Sequence, residues 1–78
     1  MDNGRFVVAV CRNHVSEEVT LHSTLDGADA QAVAFFGRVL DVAGLDHTIQ
    51  NVRLLEVARM DVVYDAYECE VDGETEVV

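Results

Sequence analysis

A chain of 78 residues with fifteen acids, five arginines and no lysine carries a formal charge of −10. Such a chain is repelled by nucleic-acid phosphate and by anionic membranes, so its expected partners are cations and basic proteins. Half the residues are hydrophobic, too many and too well segmented for disorder, which predicts one domain over residues 1–78, near the lower size limit for folding alone.

From the N-terminus, MDNGRFVVAVCRN lacks a basic segment followed by a long apolar run, so no secretory leader is expected. The expected compartment is the cytoplasm, either of the source cell or of an infected host cell, with Cys11 and Cys69 reduced. Arg5–Arg12 is β-branched and apolar on both faces, which predicts a central strand covered on both sides. Asn13 and His14 begin a turn. Glu17–Leu25 then returns as the second strand of a hairpin, with Val19 and Leu21 facing in and Glu18, Thr20 and His22 facing out.

Asp26–Ala43 reads as one helix. Asp26 suits the N-cap, Asp29 completes a capping-box-like pair, and Gly44 with Leu45 suits the C-terminal cap. Ala28, Ala32, Phe35, Phe36, Val39, Leu40 and Ala43 share a face that Val33 and Val42 widen. The face is wider than the stripe of about 100° that a surface helix needs, so deep packing on a sheet or a contact with a second subunit is expected. Gly37 inside the helix suits close packing.

Thr48–Met60 mixes helix formers with β-branched residues and reads as a third strand. Val62–Val71 reads as a fourth, with a β-bulge near Asp65 or Ala66, because Val62, Tyr64 and Ala66 share parity with Glu68 and Glu70. Asp72-Gly73 is a turn signal, after which Glu74–Val78 could add a short edge strand. The expected fold is therefore α+β: an antiparallel sheet of four to five strands in β-β-α-β-β order, with one helix on one face. One helix leaves the other sheet face bare, and that face is then either polar or a contact surface.

The chemistry concentrates in Asp61–Glu76, which holds Asp61, Asp65, Glu68, Glu70, Asp72, Glu74 and Glu76 and no base. Arg59 is the last basic residue, so nothing in the local sequence neutralises this end. Residues two apart on a strand face stand about 6.7 Å apart, against about 3.4 Å per phosphate along one DNA strand. An array of these acids would resemble a sparse phosphate track and could occupy the basic groove of a nucleic-acid-binding protein. Tyr64 or Tyr67, if exposed, would supply an aromatic anchor. The plainer alternative is a solvated strand face that discourages edge pairing.

Metal chemistry has less support. Cys11-Arg12-Asn13-His14 has C-x-x-H spacing, with His22, His47 and Cys69 as further soft ligands, but structural zinc uses two close pairs and only one exists. Glu68, Glu70, Asp72 and Gly73 imitate the start of a calcium loop whose twelfth-position glutamate is missing. Ser16, Ser23 and Thr24 have no nucleophile motif around them, and there is no Gly-rich phosphate loop. No catalytic residue, metal or cofactor is assigned.

In size, charge and lack of enzyme motifs the chain is similar to small acidic phage proteins that inhibit host nucleic-acid machinery, including anti-CRISPR and anti-restriction proteins. That resemblance implies a non-enzymatic inhibitor that blocks a basic nucleic-acid-binding surface by mimicry. The alternatives are a small homodimeric domain of a salt-adapted organism, joined through the helix flank or the bare sheet face, and, more remotely, a metal-binding domain.

Overall fold

The computed structural model describes residues 4–71. The element order is β1 (Gly4–Arg12), β2 (Glu17–His22), α1 (Leu25–Phe35), α2 (Gly37–Ala43), α3 (Ile49–Ala58) and β3 (Val63–Val71). The three strands form one antiparallel sheet in the order β2-β1-β3. The fold is α+β as expected, but the four-to-five-stranded β-β-α-β-β arrangement with one helix is overturned by three strands and three helices. The terminal strand expected over Glu74–Val78, and its Asp72-Gly73 turn, lie outside the described residues.

β1 is central, paired along both edges, but the helices pack on only one of its two apolar faces, so the cover expected on both sides is not found among the described residues. Its hairpin to β2 closes on Asn13, whose Oδ1 accepts from the backbone N–H groups of Val15 and Ser16, both at 2.9 Å. The Asn13 N–H donates to the Ser16 carbonyl at 2.9 Å, which locks the turn.

The register fixes which side chains face the helices. Val7, Ala9 and Cys11 lie in the core, opposite His22, Thr20 and Glu18 on β2 and Glu68, Ala66 and Tyr64 on β3. Thr20 and His22 therefore point toward the helical layer, and Val19 and Leu21 point away from it. This reverses the facing expected for β2. Both faces of β1 are apolar, so alternation within β2 alone did not reveal which one the helices cover. The helical layer takes the face with the smaller side chains, where Ala28 and Ala32 of α1 are fully buried together with Ala9.

The expected single helix is divided at Phe36 (φ −96°, ψ 12°). Hydrogen bonds still bridge the division: Phe36 N–H donates to Ala32 at 3.0 Å, and Leu40 N–H donates to Phe36 at 2.9 Å. Ala28, Ala32, Phe36 and Leu40 thus make one fully buried row at four-residue spacing through both segments. The N-cap is Thr24, whose Oγ1 accepts from Gly27 N–H at 3.1 Å, two residues earlier than expected. The C-terminal end matches expectation: Gly44 is left-handed (φ 72°), Leu45 N–H returns to Leu40 at 2.9 Å, and Leu45 packs on the core.

The segment expected to be a third strand is α3. Thr48 caps it by accepting from Asn51 N–H at 3.2 Å, and Val52 and Leu55 are buried one turn apart. No bulge interrupts β3: its pairing to β1 runs without a slip from Gly4 opposite Val71 to Arg12 opposite Val63. The parity conflict has another cause. Tyr64 and Ala66 pack on the helical layer, while Glu68 and Glu70 keep the same parity but are exposed.

Candidate interaction surfaces

The outer edge of β3 is closed at one point by α3. Glu56 Oε2 accepts from Tyr64 N–H at 3.0 Å, and Arg53 Nη1 donates to the Tyr64 carbonyl at 2.8 Å. The same Arg53 nitrogen donates to Glu56 Oε1 at 2.8 Å, and its guanidinium sits 4.6 Å from the centre of the Tyr64 ring. Both backbone groups of an edge residue thereby find partners within the chain. Tyr64 is buried, and its phenol donates to Asp29 Oδ1 of α1 at 2.6 Å. Burial, then the Asp29 hydrogen bond, push the Tyr64 hydroxyl well above its ordinary range. Tyr64 therefore joins strand to helices. Tyr67, half-exposed on the opposite sheet face, is the aromatic open to a partner.

The acids expected to form one array separate into three places. Asp61 lies before β3 and accepts from His14 Nδ1 at 2.7 Å and from Arg59 Nε at 3.3 Å. The Arg59 hydrogen bond, followed by that from His14, holds the Asp61 carboxyl below its usual value. Asp65 is exposed on the side of β3 away from the helices, opposite Val10. Glu68 and Glu70 share the helix-side parity. Arg5 faces Glu70 in the register and pairs with Glu68 at 2.9 Å. The local sequence offers no base here, but strand pairing brings one from the other end of the chain. Asp72, Glu74 and Glu76 lie outside the described residues.

A second surface, anticipated only as polar or contact-making, is apolar. Away from the helices the sheet presents Phe6, Val8 and Val10 of β1, Val19 and Leu21 of β2, and Val63, Tyr67 and Cys69 of β3. Val19 is 59% exposed, Tyr67 51% and Leu21 36%, while Phe6, Val10, Val63 and Cys69 are half-buried and Val8 is buried. All three helices pack on the other side, and among the described residues no element covers this face. At one end it is bounded by Arg12 and Glu17, paired at 3.9 Å. Asp65 has no ion-pair partner among the described residues and is the face's isolated charge. On the helical side Val42 of α2 and the pair Leu54 and Val57, three residues apart on α3, are also exposed.

The potential metal ligands are dispersed. Cys11 is buried on the helix side and Cys69 is half-buried on the open side, and both are free thiols. Burial, reinforced by Glu18, pushes the Cys11 thiol up to about 11. His14 is engaged by Asp61, His47 by Asp41 at 2.7 Å, and His22 by Thr20 at 2.7 Å. Among the described residues no three His, Cys, Asp or Glu side chains gather as metal ligands. A cleft of about 280 Å³ opens between the start of α1 and the β1–β3 ribbon, where Arg5 and Glu68 line it as a mutual pair. No described helix is long and apolar enough to cross a membrane.

No protein-family model, curated protein or solved structure matches the chain.

Proposed function

We propose that the chain is a non-enzymatic acidic interaction protein of the cytoplasm that binds a basic protein surface, with the open sheet face as its contact. The observation that carries this reading is the exposure of Val19, Leu21 and Tyr67 on that face, with Phe6 and Val10 half-buried beside them and no described element over them. A contiguous apolar patch of this kind marks an interaction site more often than a solvated surface. The net charge of −10 would speed encounter with a cationic partner, while apolar burial would supply the residence time.

The test is capture from the source cell at low and at high salt, using the wild-type chain and a Val19→Ser/Leu21→Ser variant. A partner held by the wild type and released by the variant supports the reading. Equal capture by both chains counts against it.

A second reading keeps the acids as the principal contact. In it the protein is a phage-encoded inhibitor, of anti-CRISPR or other anti-defence type, that blocks a nucleic-acid-binding groove in an infected cell by imitating phosphate. Glu68 and Glu70 favour it, since they stand two residues apart on one side of β3 and are both exposed. Charge reversal at Glu68 and Glu70 would then abolish binding, and affinity would fall steeply with salt. A partner indifferent to both changes removes this reading and leaves the apolar one.

A further inference from the structure

Resting on the reading of the open sheet face as the contact surface, we infer that its occupant is a basic amphipathic helix of a partner protein, aligned so that a lysine or arginine meets Asp65. Three observations lead to this occupant. The first is size. Three strands about 4.8 Å apart give a face roughly 10–15 Å wide. The six residue pairs that join β1 to β2 make it about 20 Å long, at about 3.4 Å per residue. A helix is about 10 Å across and rises 1.5 Å per residue, so about 14 residues span that length.

The second is the poor fit to a second copy. Self-association would bring together two chains of charge −10 and bury two copies of Asp65.

The third is the charge pattern on the face itself. Arg12 and Glu17 satisfy each other at its end, whereas Asp65 stands beside Val10 and Tyr67 with no counter-ion among the described residues. A carboxylate at the margin of an apolar face selects a partner with one cation beside an apolar stripe and disfavours a purely apolar one. With such a helix in place the sheet would be covered on both sides, a three-layer arrangement in which the exposed Val19, Leu21 and Tyr67 become buried.

The experiment uses the full chain and two labelled 14-residue peptides of leucine and lysine, one patterned as an amphipathic helix and one scrambled. Binding is followed by fluorescence anisotropy at moderate salt, and helix formation by circular dichroism. The patterned peptide is expected to bind and become helical, and the scrambled peptide to bind at least about tenfold more weakly. Val19→Ser/Leu21→Ser is expected to weaken binding at least about tenfold, and Asp65→Lys about five- to tenfold. Glu68→Gln/Glu70→Gln, on the other side of the sheet, is expected to leave it within about twofold. Tyr67→Ser, at a half-exposed position, replaces the double variant if that chain loses its native melting transition.

Equal binding of both peptides, or loss through Glu68 and Glu70 alone, overturns the proposal. So does a concentration-dependent dimer in sedimentation equilibrium that Val19→Ser/Leu21→Ser dissolves, which would make the occupant a second copy. If cellular capture depends on the open face but the helical peptide fails to bind, the occupant is wrong and the contact surface stands. If neither depends on that face, both readings fall.

Discussion

Tyr64 on β3 and Asp29 on α1 are joined by a hydrogen bond of 2.6 Å between side chains 35 residues apart. It crosses from an edge strand to the helical layer, and at the same residue Arg53 and Glu56 hold the strand backbone. Tyr64→Phe keeps the ring, the cation–π contact and the packing, and removes only the donor. Hydrogen bonds to charged groups contribute about 1.5–3 kcal/mol, and Asp29 keeps some access to water, so a loss of about 1–2 kcal/mol is expected in urea unfolding. Asp29→Asn retains an acceptor and should cost less than Tyr64→Phe.

Glu56 is the only described side chain that accepts from the outward N–H of Tyr64. Glu56→Ala frees that edge group and leaves Arg53 without its carboxylate. A destabilisation of about 1 kcal/mol is expected, together with greater concentration-dependent aggregation as the β3 edge opens. Light scattering at matched folded fractions would separate the two effects, and aggregation equal to that of the wild type would show that α3 does not guard this edge.

Alkaline pH should unfold the protein through two groups. Cys11 has a folded value of about 11 against an ordinary 9.0, so the folded state keeps its proton after the unfolded chain has lost it. Its contribution is fully present below pH 9 and is lost as pH rises toward about 11. Tyr64, also raised, adds to the loss above its ordinary value of 10.0. Melting temperature followed from pH 8 upward should decline, less steeply in Cys11→Ala than in the wild type. Ultraviolet titration should show Tyr64 ionising only within the unfolding transition.

Two glycines should respond oppositely to alanine. Gly44 is left-handed, with φ of 72°, so Gly44→Ala strains the backbone by about 1 kcal/mol. A fall in Tm of about 4–8 °C is expected for a domain of this size. At Gly37 an added methyl would meet only the His47 ring, at an ordinary contact distance of 3.5 Å. Gly37→Ala is expected to be neutral or to stabilise by up to about 1 kcal/mol. A large loss there would mean that the division at Phe36 depends on glycine.

The parts legible in the sequence were those fixed by local chemistry. β1 as a central strand, the hairpin turn at Asn13, and the cap at Gly44 and Leu45 follow from residues that act on their near neighbours. The α3 segment carried comparable signals, a Thr48 cap with Val52 and Leu55 one turn apart, but its Val, Ile and Thr content pointed toward strand. Asp29 was read as a capping residue because its bond to Tyr64, a long-range contact, has no local signature. The facing of Val19 and Leu21 was inverted for a similar reason: two-residue alternation defines two sheet faces but does not state which one the helices choose. The candidate site was affected in turn. The carboxylates were plain to count, whereas the pairing of Glu68 with Arg5 and the apolar open face depend on register.

The position of β1 also orders events during synthesis. The central strand precedes both its partners in the chain, and β2 can zip onto one side of it after a turn of a few residues. Its other partner, β3, follows only after three helices, with Gly4 finally opposite Val71. Until β3 arrives, the most apolar strand of the protein exposes an entire ladder of unpaired backbone groups. Closing the loop between them is entropically costly, so the final step is slow relative to the hairpin. Until β3 pairs, the β3 side of β1 is a sticky open edge, and a chaperone or an early-bound partner would gain most by shielding it.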